Sequence, residues 1–240
     1  MLLRYTAGGF MVILPHDSPD QIVNAILETD YDQELCLSLS FDPDFIERLM
    51  KAGFLVMSSK LTDTEEDNEQ FILCPKLHLT RSILFFDNLH IKKSIRPYLN
   101  RFELHVDTDF DYIIDRCIET HGDCWLTQPL ITAIRNIRVC NLHGVHPMSF
   151  ALYHQNQHNG QSKPVAGEFG IMAGKVYTSY SGYYDEDNAG TVQLILATRY
   201  LAEHGFAFFD LGMPLDYKAT LGAVNVSPQE FVRLFRSAQY

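Results

Sequence analysis

The chain has 240 residues, 46% hydrophobic, 12% aromatic and 20% charged, enough apolar mass for a sizeable core and unlike disordered or collagen-like chains. Nineteen Lys and Arg against thirty Asp and Glu leave a net charge of -11, which argues against broad, non-specific nucleic-acid binding. No apolar run approaches a membrane span and the start lacks a charged segment leading into an apolar stretch, so a cytoplasmic protein is expected; the cysteines, Cys36, Cys74, Cys117, Cys124 and Cys140, form no CxxC pair, so neither a disulfide framework nor a metal site is expected.

In chain order, Ile22, Val23, Ile26 and Leu27 fit one helical face, whereas Leu35, Leu37, Leu39 and Phe41 alternate as in a strand. Asp42 and Pro43 suit the cap and first turn of a helix carrying Phe45, Ile46, Leu49 and Met50. The acidic stretch from Thr62 to Asn68 has no apolar periodicity and reads as a boundary between a small N-terminal α+β domain, residues 1–68, and a second domain, residues 69–240. From Lys76 to Arg101 six basic residues (Lys76, Arg81, Lys92, Lys93, Arg96, Arg101) meet one acid, Asp87, a local excess of five positive charges; taken alone, such a run is solvated surface.

Ile83 to Phe86 reads as a strand, Ile91 to Leu99 as a helix, and Phe102, Leu104 and Val106 alternate. Asp109 and Thr127 can cap two helices. Three strands follow, 148–154, 164–172 and 175–181, the last two joined by a tight hairpin at Ala173-Gly174. A long helix over about 188–204 stops at Gly205. Phe206 to Leu211 is a continuous apolar run suited to a central strand, and Ser227-Pro228-Gln229-Glu230 is a capping box opening a last helix. Helices, an antiparallel meander, a long helix and a buried strand follow the order of an acetyltransferase-like (GNAT-like) α+β domain with a central, mostly antiparallel sheet.

Four segments, in order, carry a resemblance. Leu89-His90-Ile91-Lys92-Lys93-Ser94-Ile95 looks like L-H-I-S-R-S-M, and Cys124-Trp125-Leu126-Thr127 like T-W-I-T. Val165-Ala166-Gly167-Glu168-Phe169-Gly170 looks like V-G-G-x-Y-G, and the run from Asp210 to Leu221-Gly222-Ala223 like the stretch from D-C-Q to S-L-G-A. Upstream, Gly53 to Met57 sits where G-x-F-P-W is found, and Pro75 with Arg81 near S-P-x-P-R. These motifs resemble those of the leucyl/phenylalanyl-tRNA–protein transferase family, whose members move an aminoacyl group from a charged tRNA onto a protein N-terminus. The departures are that Ser179-Tyr180-Ser181 stands in place of G-E-S and Asp210-Leu211-Gly212 in place of D-C-Q.

The resemblance implies a monomeric aminoacyltransferase without cofactor, acting on aminoacyl-tRNA and a free protein N-terminus, with no membrane partner. It makes Asp210 the group that orients or deprotonates the amine, and Tyr180 and Ser179 candidate oxyanion donors. It assigns Trp125 as a platform for the terminal adenosine, and the basic island (Lys92, Lys93, Arg96, Arg81, His90) as tRNA-binding. The aminoacyl side-chain pocket is expected from Glu168, Tyr177, Leu194, Ala197 and Leu201. Glu168 stands where the family is apolar and Ala197 where it has a phenylalanine. A carboxylate plus added room suits a guanidinium, so an arginyl transferase is expected. The alternatives are the ordinary leucyl/phenylalanyl enzyme and an inactive tRNA- or N-terminus-binding module. A coenzyme-A-dependent acetyltransferase is disfavoured, because Asp185-Glu186-Asp187 before the long helix repels phosphate.

Overall fold

The computed structural model describes residues 3–29, 31–61, 69–156 and 162–239. The acidic stretch 62–68 lies outside the described residues.

A short ladder of β1 (Arg4–Tyr5) and β2 (Met11–Val12) precedes α1 (Pro19–Glu28) and α2 (Pro43–Lys51). Both helices open on proline, whose missing N–H is no loss in a first turn, and the Asp42 carboxylate accepts the Asp44 N–H at 3.3 Å. The strand expected over Leu35 to Phe41 makes only isolated bridges, Leu37 to Val12, Leu35 to Lys76 and Ser38 to Leu73. A hairpin follows, β3 (Leu55–Leu61) against β4 (Gln70–Lys76).

Next come β5 (Arg81–Leu84), 3-10 turns at Phe86–Asn88 and Arg96–Arg101, and β6 (Phe102–Val106). The α-helix expected over 91–99 does not form: Pro97 supplies no N–H for the Lys93 carbonyl and its ring would crowd that carbonyl, so Pro97 sits instead in the first turn of the 3-10 segment. Beyond β6 lie α3 (Phe110–His121), α4 (Gln128–Cys140), β7 (Val145–His154), β8 (Ala166–Ala173) and β9 (Val176–Tyr184). The chain ends with α5 (Ala189–Glu203), β10 (Phe208–Asp210), α6 (Asp216–Thr220), β11 (Val224–Val226) and α7 (Pro228–Ser237). Asp109 and Thr127 stand at helix starts without capping them. The Asp109 carboxylate accepts the Tyr153 hydroxyl at 2.8 Å, and the Thr127 hydroxyl meets that of Ser58 at 2.8 Å. The Ser227 cap does form, accepting the Glu230 N–H at 3.3 Å.

Among the described residues seven strands make the main sheet, in the order β11-β5-β10-β9-β8-β7-β6. Every pairing is antiparallel except β9 with β10, which α5 connects as a crossover. Alternate residues feed two apolar layers. Val145, Ala151, Phe169, Ile171 and Phe208 pack among residues of α1 to α4 and α7, while Met148, Phe150, Tyr177 and Phe209 pack with Ala197 and Leu201 of α5. Covered on both faces, the sheet buries β7, β8 and β10 almost throughout, whereas the edge strands β6 and β11 stay partly exposed.

Phe45, Ile46 and Val56 share one apolar cluster with Ile134, Phe169 and Phe231. The boundary expected at 68/69 therefore cuts the paired β3–β4 hairpin, and the N-terminal part has no separate core. Among the described residues no helix is long and apolar enough to cross a membrane. All five cysteines are free, Cys124 and Cys140 exposed.

Candidate active site

The β8–β9 ladder slips by one residue: Phe169 pairs with Ser181 and Gly170 with Ser179, leaving Tyr180 as the extra residue of a bulge. Glycine is required at 170, because a Cβ there would lie 2.2 Å from the Thr178 carbonyl oxygen and 2.6 Å from the Tyr177 ring. Beside the bulge opens a cavity of about 760 Å³. Its walls come from β3, β8, β9, the start of α5, Trp125 and the segment from Leu211 to Lys218.

Among the polar side chains on its wall, Glu168, Gln193, His78 and Lys218 stand out for their burial. Glu168, 3% exposed, accepts the Ser179 hydroxyl on Oε2 at 3.2 Å, while its Oε1 has no hydrogen-bond partner. Burial pushes the Glu168 carboxyl up to about 8; Ser179, Tyr177 and the Lys218 charge oppose that less strongly. Gln193 on α5 is buried with its Nε2 unpartnered. His78, whose Nε2 is likewise unpartnered, is pushed down to about 3 by burial, reinforced by the charges of Arg81 and Lys76, and is a neutral imidazole. Lys218 donates to the Leu211 and Met213 carbonyl oxygens at 2.5 and 2.9 Å, and burial lowers its ammonium to about 8. The motif reading missed Gln193, His78 and Lys218. Gln193 is masked by the apolar character of α5, while Lys218 lies inside the matched Asp210-to-Ala223 segment as a lone lysine.

Asp210 is not on the cavity wall. It is 0% exposed, and its two oxygens take Arg81 Nε at 2.8 Å, Arg81 Nη2 at 2.6 Å, Thr178 Oγ1 at 2.8 Å and the Gly212 N–H at 3.0 Å. These donors, with the Arg81 charge foremost, outweigh desolvation and hold the carboxyl below its ordinary range. A carboxylate so occupied has no lone pair free for an incoming amine, which corrects the expected role of Asp210. Arg81 is corrected with it: 1% exposed and lying over the Phe231 ring at 4.5 Å, it cannot reach a phosphate.

The other expected residues divide. Ser179, Tyr180, Trp125, Glu168 and Leu194 line the cavity. The Tyr180 hydroxyl accepts the Val56 N–H at 3.0 Å, and its phenol is raised by burial. Ala197 and Leu201 do not line the cavity; both are buried in the apolar layer with Phe150 and Phe209. Tyr177 packs there too; its hydroxyl acts on the Glu168 carboxyl electrostatically without a hydrogen bond of full geometry. Lys92, Lys93, Arg96 and His90 are exposed. Since Lys76 pairs with Glu34 at 2.6 Å and Arg81 is inside, the exposed part of the basic island is Lys92, Lys93, Arg96 and Arg101. No cluster placed to hold a metal ion exists among the described residues.

Residues 83–236, which supply most of the cavity wall, match the family described as leucyl/phenylalanyl-tRNA protein transferase. The chain is 31% identical over 156 residues to the leucyl/phenylalanyl-tRNA–protein transferase of Pseudomonas putida (strain W619), an alignment covering 63% of this chain and 65% of that relative. It is 24% identical over 215 residues, 90% of each chain, to the protein of the same name from Campylobacter jejuni (strain RM1221). The chain thus spans under two thirds of the length of the Pseudomonas relative. The solved structure of L-PGS from Bacillus licheniformis shows a looser likeness, with a TM-score of 0.47 and 12% identity, covering 99% of this chain and 89% of that one. By a match over the greater part of its length, the chain belongs to the leucyl/phenylalanyl-tRNA protein transferase family.

Proposed function

We propose that the protein transfers an aminoacyl group from a charged tRNA to the N-terminal amine of a protein. The observation that carries this reading is that the family match covers β8, β9, α5 and α6, whose side chains surround the 760 Å³ cavity. Aminolysis of an ester runs downhill and depends chiefly on approximation, so groups that position the ester and the amine supply much of the rate. Trp125 is the stacking platform for the terminal adenosine on this reading. The exposed Lys92, Lys93 and Arg96 meet acceptor-stem phosphates, and the Ser179 and Tyr180 hydroxyls face the ester.

The names of the relatives favour leucine and phenylalanine as the transferred residues. They lend no support to arginine, and that expectation also loses half of its argument, because Ala197 adds no room to the cavity. One observation keeps a cationic residue as the second reading: Glu168 lines the cavity, and its buried carboxyl keeps one oxygen, Oε1, without a hydrogen-bond partner. The test is to offer the protein mixed charged tRNAs, each labelled on its amino acid, with peptides of varied N-terminus. Leucine or phenylalanine in the peptide supports the first reading and arginine or lysine the second; no incorporation rejects both.

A further inference from the structure

Two lysines line the cavity, and they differ in one respect. Lys76 is neutralised by Glu34, whereas Lys218 has no carboxylate within ion-pair distance among the described residues. Lys218 is 7% exposed, and its Nζ is held by two main-chain carbonyls, of Leu211 and Met213, and lies 5.7 Å from the Tyr217 ring centroid, leaving the third N–H without a hydrogen-bond acceptor among the described residues. Neutral carbonyls fix the direction of a buried ammonium without cancelling its charge. The charges that bear on it are Asp210, Glu168 and Arg81. Asp210 is committed to Arg81, and Glu168 is held largely protonated by burial. What remains is an oriented positive charge, itself almost wholly buried, at the cavity wall, a setting in which a donor is worth most to an oxygen that gains negative charge only during reaction.

We propose that Lys218 is a catalytic residue of the transfer reaction, donating its third N–H to the carbonyl oxygen of the aminoacyl ester as that oxygen becomes negative. The inference rests on the aminoacyl-transfer reading above. The acceptor amine's lone pair forms the C–N bond while the carbonyl π pair moves onto oxygen, where Lys218 holds it. Collapse re-forms the C=O bond and breaks the C–O bond to the tRNA ribose. The ribose oxygen takes up the proton that the amine nitrogen loses, and Lys218 ends the cycle with the proton count it began with.

The test compares the parent with Lys218→Met, Lys218→Arg and Lys218→Gln, measuring kcat and KM for labelled aminoacyl-tRNA with a peptide acceptor, alongside a thermal melt of each. Lys218→Met is expected to lose kcat by about 10²–10³-fold, the size of losing one oxyanion donor, with KM changed by less than about threefold. Lys218→Arg, which keeps the charge, should recover part of that loss. An unchanged kcat in Lys218→Met overturns the proposal, as does a raised KM with kcat intact, which marks a ground-state phosphate contact. Should Lys218→Met not fold, equal loss of kcat in folded Lys218→Arg and Lys218→Gln assigns Lys218 to bracing the 211–213 segment and overturns the proposal, while loss confined to Gln supports it. A parent that transfers nothing from any charged tRNA overturns the aminoacyl-transfer reading itself, and this proposal with it.

Discussion

Asp210 on β10 and Glu168 on β8 are both buried carboxyls of one sheet, on either side of β9, and their surroundings drive them in opposite directions. Asp210 has a guanidinium and two further donors, so its charge is retained; Glu168 is fully buried with only neutral hydroxyls beside it, so burial suppresses its charge. Removing one member of the buried Arg81–Asp210 pair strands the other. Arg81→Met should therefore destabilise the fold by about 3–5 kcal/mol in urea unfolding, and Arg81→Met with Asp210→Leu should cost less than the sum of the two single changes. Simple additivity would mean that the pair is uncoupled. For Glu168 the folded pKa, about 8, lies above its ordinary 4.5. Its ionised form opposes folding: the penalty is absent below pH 4.5 and grows as pH rises to 8. Glu168→Gln should remove that slope, so that the variant gains on the parent by a few kcal/mol between pH 5 and pH 8. Parallel stability–pH curves would show that the carboxyl is hydrated.

At the scale of the elements, the bulge between β8 and β9 is what separates a continuous sheet from one with a cavity beside it. Gly170→Ala presses a methyl group into the Thr178 carbonyl and should destabilise the fold by clearly more than Gly205→Ala. The latter has open space around its Cβ position and loses only about 1–2 kcal/mol to its left-handed backbone. Equal melting losses in the two variants would mean that the bulge relaxes. Most helices and strands were legible because their apolar period is set by local geometry, as in Phe45-Ile46-Leu49-Met50 or Phe102-Leu104-Val106. The turn at Arg96–Arg101 was not, since the apolar spacing of Ile91, Ile95 and Leu99 imitates a helix that Pro97 forbids. The site was legible in part. The motif order led to Glu168, Ser179, Tyr180 and Trp125, all on the cavity wall. Which face of α5 Ala197 takes, and that Arg81 turns inward to Asp210, depend on partners more than a hundred residues apart for the second case, beyond any local pattern.

Over the whole molecule, an acidic chain presents a small basic surface at Lys92, Lys93, Arg96 and Arg101. Binding of aminoacyl-tRNA should weaken steeply with salt, and replacing Lys92 and Lys93 by alanine should lower the log–log slope by roughly 0.7–0.9 per lost phosphate contact. An unaltered slope would place the acceptor stem elsewhere. A fragment holding only residues 69–240 gives up the Phe45, Ile46 and Val56 part of the shared core, so it should show no cooperative thermal transition. A sharp transition would establish an independent second unit. The strand order also bears on how the protein is made. β5 leaves the ribosome early, yet its two neighbours in the sheet, β10 and β11, come from the last part of the chain. Until then a buried-type strand, Arg81–Leu84, has to wait with both edges open. Arg81 then acts as a gatekeeper, a charge inside the strand that resists premature stacking with other nascent chains until Asp210 emerges beside it and cancels it.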